Sequence, residues 1–223
     1  MKQSVLALHG FLGRGGDWDG VKAASQGDID WRCPDLFAPG GDDWRKPPAF
    51  VGKSWLAGYS FGARLALRWL VEEPQRWHGA LLLSANPGNF QTDAARSARR
   101  ESDDSWASAF RSEPWDSLIP RWNAQDVLAG GAVPPRVEAD YDRAKLADAL
   151  EHFSVADQFT EAARLEGPLV WMAGVCDAKF TGLLAAMRDA GFPGVFDAVP
   201  GAGHRLLHDA PREVARALDR LTA

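Results

Sequence analysis

Short apolar runs alternate along the chain with stretches in which apolar residues recur every three to four positions. The runs predict buried strands at 4–8, 54–59, 79–84, 169–175 and 194–199, with a further short one near Ile29-Asp30-Trp31-Arg32-Cys33. Ala63-Arg64-Leu65-Ala66-Leu67-Arg68-Trp69-Leu70 and Pro211 to Leu218 carry the helical spacing instead. Strands separated by helices predict an α/β fold with a mostly parallel sheet flanked by helices. The loop Phe37 to Trp44 is irregular in pattern and is expected to border a site entrance. There is no internal repeat and no low-complexity tract.

One segment interrupts the alternation. Between Ser84 and Leu169 the pattern is too helical for a loop and too long for one crossover. It predicts a helical cap at 85–165 inserted before the strand at 169, over a core made of 1–84 and 166–223. The insert carries Arg96, Arg99, Arg100, Trp106, Arg111, Trp115, Arg121 and Trp122. Most of these arginines are expected on solvated helix faces, paired to Glu101, Asp103 and Asp104. An arginine turned into a closed pocket would instead grip a carboxylate bidentately. Arg64, one helical turn after Ser60, is the better placed for that task.

Gly58-Tyr59-Ser60-Phe61-Gly62 follows an apolar run and opens a helical one. Strand, sharp turn and helix are the setting of a nucleophile elbow, with Ser60 lifted above the sheet edge. A serine hydroxyl is a weak nucleophile at neutral pH. An imidazole must accept its proton, and a carboxylate must hold that imidazole in one tautomer. In the α/β-hydrolase fold the chain order is Ser, acid, His, each after a strand. Asp177, after the run Leu169 to Cys176, is the expected acid, and His204 in Pro200-Gly201-Ala202-Gly203-His204 the expected base. Asp197 is the weaker rival acid because it falls within a predicted strand. His78 and His152 are placed on predicted helices, and His208 follows the histidine loop.

His9-Gly10-Phe11-Leu12-Gly13 leaves the first strand where this fold carries its oxyanion loop. The backbone N–H groups of Phe11 and Phe61 are expected to converge on a developing oxyanion. His9 is expected to pack beneath its own loop.

At 223 residues the chain suits one domain with a substantial core. The net charge of −5 offers no basic stripe for nucleic acid. No run approaches the ~18 apolar residues of a membrane span, and the N-terminus enters a strand without a signal-peptide pattern. Cys33 and Cys176 are too few for a disulfide framework and lack metal spacing, and Cys176 reads as a small buried strand residue. No phosphate-cradling glycine loop is present, so neither a cofactor nor a metal is expected. The expected location is the cytoplasm, and the expected partner is a small-molecule carboxylate substrate. The sequence leaves open whether the chain is a monomer or a homo-oligomer.

Several strings together resemble one family. Leu8-His9-Gly10-Phe11-Leu12-Gly13 with Asp17-Trp18, Gly58 to Arg64, and Asn86-Pro87-Gly88 are similar to the MenH group of α/β-hydrolase-fold enzymes. So are Arg96 to Trp106 with Phe110 and Glu113-Pro114, Asp177-Ala178-Lys179-Phe180, and Gly201-Ala202-Gly203-His204. The match runs over nearly the whole chain. These enzymes are 2-succinyl-6-hydroxy-2,4-cyclohexadiene-1-carboxylate (SHCHC) synthases of menaquinone biosynthesis. The resemblance implies a lyase that removes pyruvate after a ring proton is abstracted, with Ser60 as base activated by His204 and Asp177. It implies that Arg64 and Arg99 hold substrate carboxylates, that Trp122 lines the pocket and that Tyr59 flanks the serine. The chain departs from the family at Glu138-Ala139-Asp140-Tyr141-Asp142-Arg143, where a carboxylate-binding arginine is displaced unless Arg136 or Arg143 substitutes. A small serine hydrolase of acidic esters, thioesters or carbon–carbon bonds is the alternative, since the triad serves both.

Overall fold

The computed structural model describes residues 2–48, 52–128, 130 and 133–223. Strands β1 (Gln3–Leu8), β2 (Ile29–Arg32), β3 (Ser54–Tyr59), β4 (Trp77–Leu83), β5 (Leu169–Gly174) and β6 (Val195–Val199) form one sheet. Their order is β2-β1-β3-β4-β5-β6, and every pairing is parallel. The chain runs from β1 outward to β2 and then crosses to β3 on the other side of β1. That reversal opens a crevice at the carboxyl ends of β1 and β3, the usual ligand site of an open parallel sheet.

Period-two alternation sorts the strand residues between two faces. Val5, Ala7, Ala57, Leu81 and Met172 pack with Val214, Ala215 and Leu218 of α8 (Pro211–Thr222). On the other face Leu6, Leu8, Leu56, Leu82 and Trp171 pack with α2 (Phe61–Glu72) and α6 (Ala178–Asp189). Three helices of the insert, α3 (Asp93–Ser112), α4 (Trp115–Asn123) and α5 (Arg143–His152), lie over this second face. Phe110, Trp115, Leu118, Leu146 and Phe153 join the same buried cluster as α2, so the insert shares one core with the sheet. The short α1 (Asp19–Ala24) and α7 (Leu206–Asp209) complete the helices.

Three expectations are corrected. His78 lies in β4, not on a helix. The strand starts at Trp77, whose ring stacks on Trp69 of α2 at 6.3 Å and whose indole N–H donates to the Trp69 carbonyl. Cys176 is exposed rather than buried, because β5 ends at Gly174 and the chain turns outward through Val175 and Cys176. The 37–44 loop is irregular, but Phe37 and Trp44 are buried in the core against Phe61 and do not border the entrance.

Candidate active site

The elbow is built from backbone that only glycine tolerates on both sides of the serine. A Cβ on Gly58 would stand 2.6 Å from the Ala63 Cα, and one on Gly62 2.6 Å from the His9 carbonyl oxygen. Ser60 itself adopts φ 51°, ψ −106°, a strained conformation for an L-residue, at the head of α2. Its main-chain N–H donates to Leu83 O at 2.9 Å, which ties the strained residue to the neighbouring strand.

Leu8 pairs with Gly58, Leu83 with Met172, and Gly174 with Val199, so the loops leaving β1, β3, β5 and β6 emerge along one sheet edge. There the three predicted residues meet. His204 Nδ1 lies 2.7 Å from Asp177 Oδ2, and His204 Nε2 lies 3.2 Å from Ser60 Oγ. With Nδ1–H donating to the carboxylate, Nε2 is left to accept from the serine hydroxyl. Asp177 divides its oxygens, because Oδ1 caps α6 by accepting from Phe180 N at 3.2 Å. The ring of Phe180 packs on His204 at 4.6 Å and that of Tyr59 at 5.6 Å. Asp197 stays within β6.

Sequence reasoning passed over Ser84. It follows β4 directly at φ 47°, buried, and its hydroxyl donates to the His204 carbonyl at 3.2 Å. A lone serine after an apolar run carries no signal of this contact, which depends on how β4 and the histidine loop are juxtaposed.

Gly10, Phe11, Tyr59, Ser60, Phe61 and His204 line a cavity between the sheet edge and the insert. Phe61 is the first residue of α2, where its N–H has no intrahelical acceptor. His9 is fully buried: Nδ1–H donates to Gly10 O at 2.8 Å, and Nε2 accepts from Leu36 N at 2.9 Å. Both nitrogens are thus committed to the neutral ring, and burial pushes the pKa down to about 4. The aromatic wall facing Ser60 comes from the insert, with Trp122 at 4.7 Å from Phe11 and 4.9 Å from Trp106.

The cationic groups of this cavity are unevenly satisfied. Arg64 lies between the rings of Phe61 and Phe153, at 5.3 and 5.0 Å. It donates only to neutral acceptors, Phe153 O at 2.6 Å and Gln158 Oε1 at 3.3 Å. Burial, with the like charge of Arg99 added, pushes its pKa down to about 9. Arg99 donates from Nε to the buried carboxylate of Asp103 at 2.8 Å. Asp103, Trp106 and Lys179 also line the cavity, none of them singled out for this role by the sequence.

The other arginines pair differently from expectation. Arg100 pairs with Asp157, Arg111 with Glu151 and Arg121 with Glu113, so their partners lie on other elements rather than at Glu101 or Asp104. Arg143 donates to Phe110 O and Glu113 O, both at 2.5 Å, and to Glu138 at 2.8 Å. Arg136 holds Asp17 bidentately at 2.9 and 2.7 Å in a smaller cavity behind Tyr59 and Trp122. Neither lines the cavity of Ser60. His152 is the exposed end of α5, and His208 lines the smaller cavity, where burial lowers its pKa.

No family model matches the chain. An SHCHC synthase of Serratia proteamaculans is 36% identical over 163 residues, 69% of this chain and 62% of that enzyme. An SHCHC synthase of Citrobacter koseri is 31% identical over 177 residues, 76% of this chain and 68% of that enzyme. The structure of MenH from S. aureus superposes with a TM-score of 0.80 at 18% identity, covering 97% of this chain and 91% of that one. The sheet order, the elbow and the helical insert are those of the α/β-hydrolase fold.

Proposed function

Because the chain belongs to the SHCHC synthase family of α/β-hydrolase-fold enzymes, we propose that it is a lyase of menaquinone biosynthesis. It eliminates pyruvate from 2-succinyl-5-enolpyruvyl-6-hydroxy-3-cyclohexene-1-carboxylate to give SHCHC. The observation that carries this reading is a half-buried guanidinium, Arg64, which has no ion-pair partner among the described residues and lines the same cavity as Ser60. A buried charge left unpaired is costly. A substrate carboxylate supplies the missing partner, and an uncharged ester would not.

In this reading residues 85–165 form the cap that closes the pocket. Ser60 takes the ring proton at C2 and passes its own proton to His204 Nε2, while Asp177 holds the imidazole in place and stabilises its charge. Electrons move from the C2–H bond into C2=C3, and C3=C4 becomes C4=C5. The C5–O bond breaks, and the departing enolpyruvate takes up a proton to become pyruvate. Charge collects on the succinyl ketone oxygen as the proton leaves, and the N–H groups of Phe11 and Phe61 stabilise it. Arg64 and Arg99 hold substrate carboxylates, Trp122 and Tyr59 flank the ring, and no covalent intermediate, cofactor or metal is required. A cytoplasmic location is supported by two unpaired cysteines, Cys33 and Cys176, and the acidic balance gives nucleic acid no role.

The test is pyruvate release coupled to lactate dehydrogenase, from enzymatically prepared substrate. Release should exceed the spontaneous rate and fall by about a thousandfold or more in Ser60→Ala. No acceleration, together with strong turnover of p-nitrophenyl butyrate, would instead support a serine hydrolase working with the same triad.

A further inference from the structure

β4 supplies no member of the triad, yet its end touches two of them. Leu83 O accepts the main-chain N–H of Ser60 at 2.9 Å, and the hydroxyl of the next residue, Ser84, donates to the main-chain carbonyl of His204 at 3.2 Å. The N–H of Ser84 donates in turn to Met172 O of β5 at 2.7 Å, which fixes this dipeptide to the sheet. Nucleophile and base are thus both referred to the same two residues.

Ser84 breaks two local rules to stand there. A φ of 47° is a conformation that glycine adopts freely and an L-residue only under strain. Its hydroxyl is also buried, at 1% exposure, where water cannot replace a lost partner. Glycine would remove both costs at once. What the hydroxyl holds, the His204 carbonyl, is the gain that offsets them, and strained residues of this kind gather where function needs them. Ser84 lines neither the cavity of Ser60 nor those beside it, so it acts through another residue rather than on the substrate.

The base needs such a hold. His204 follows Gly201-Ala202-Gly203, a stretch with one methyl group as its whole side-chain content and with Gly201 at φ 74°. Cys176 N holds Ala202 O at 2.9 Å and Asp209 holds Gly203 N at 2.9 Å, but neither reaches His204 itself. Of the two donors on the His204 carbonyl, Leu206 N at 3.0 Å belongs to the same loop, and Ser84 comes from the sheet.

We propose that Ser84 is a positioning residue that sets the separation of His204 from Ser60, with the end of β4 as the common reference for both. The 3.2 Å between His204 Nε2 and Ser60 Oγ then follows from main-chain contacts on either side, not from the side-chain hydrogen bond alone. This deepens the triad reading and rests on it, because Ser84 acts only through His204.

Two variants separate positioning from stability. Ser84→Gly loses the hydroxyl and the strain, whereas Ser84→Ala loses the hydroxyl and keeps the strain, so the glycine variant should melt at the higher temperature. In both, kcat for pyruvate release should fall about tenfold while KM stays within about twofold of the parent. Parental kcat in Ser84→Gly overturns the proposal, and so does a loss confined to the less stable Ser84→Ala. A second readout needs no turnover. With isotope-labelled histidine, the Nδ1–H resonance of His204, identified by its disappearance in His204→Gln, should shift and weaken in both variants. A resonance unchanged in position and intensity overturns the proposal. If the parent releases no pyruvate, the lyase reading falls and this resonance still decides the role of Ser84.

Discussion

The floor of the pocket and its roof are held by different means. On the floor, Ser60, Asp177 and His204 stand on main chain that is paired strand to strand and packed so closely that Gly58 and Gly62 admit no side chain. The roof shares the buried core of the sheet's second face and is fastened further by long cationic side chains that donate to main-chain carbonyls. Arg96 reaches Ala156 O and Gly88 O, Arg100 reaches Glu151 O, Arg143 reaches Phe110 O and Glu113 O, and Arg205 reaches Leu128 O. Lys145 ties α5 to the carbonyls of Ala38 and Gly41. Proton transfer between fixed partners demands placement within a few tenths of an ångström, which a stiff backbone supplies. Contacts of this kind separate one at a time, each worth roughly 1.5–3 kcal/mol, so the roof can yield where the paired floor cannot.

The largest test strikes the floor. Gly62→Ala sets a methyl group of α2 against the carbonyls of Leu8 and His9, and β1 cannot withdraw from the helix without breaking the sheet. Its urea midpoint should report a loss of about 3 kcal/mol or more. A loss under about 1 kcal/mol would mean that the floor is as yielding as the roof. Next comes Arg64, the proposed carboxylate anchor. Arg64→Met should raise KM for pyruvate release about 10- to 100-fold, the range expected for a lost charged hydrogen bond. An unchanged KM would reject its role.

Protonation offers a gentler break. His9 is held neutral in the folded chain, with a pKa lowered from 6.5 to about 4. Between those values the unfolded chain binds the proton first. Stability from this group is therefore full above about pH 6.5 and is lost as the pH falls toward 4. Denaturant midpoints should show a loss of about 1 kcal/mol between pH 7 and pH 5.5 beyond that of His9→Gln. Ring resonances of His9 that titrate near pH 6.5 in the native protein would contradict the assignment. A comparably small effect belongs to the roof. Arg143→Ala should cost about 1–2 kcal/mol and speed amide exchange around 109–113 and 138–143, while protection at the elbow stays as it was.

The elbow string was legible because its constraints are local. A strained strand-to-helix turn requires Gly58 and Gly62 whatever surrounds it, and a serine between them has few other purposes. Asp177 and His204 were legible because each follows within a few residues of an apolar run, and the loops that leave such strands emerge at the sheet edge. Apart from Arg99 with Asp103, arginine partners were not, since a long flexible side chain can reach any of several elements. Arg111 pairs across helices with Glu151, not along its own helix with an acid at close spacing. Cys176 was misread because the last residues of an apolar run look alike whether or not the ladder continues through them, and here it stops at Gly174. The role of Ser84 was invisible for a related reason: it matters through the histidine loop that another strand places beside it.

The sequence by itself determined the layered parallel sheet, the elbow, the order of the triad and the existence of a helical insert. Each of these follows from hydrophobic period or from a backbone requirement confined to a few adjacent residues. Only the tertiary structure decided which cations face the pocket, which of them lack an anionic partner, and that the insert shares the core of the sheet. Those outcomes depend on contacts between residues far apart in the chain, where burial and charge are settled by the fold as a whole.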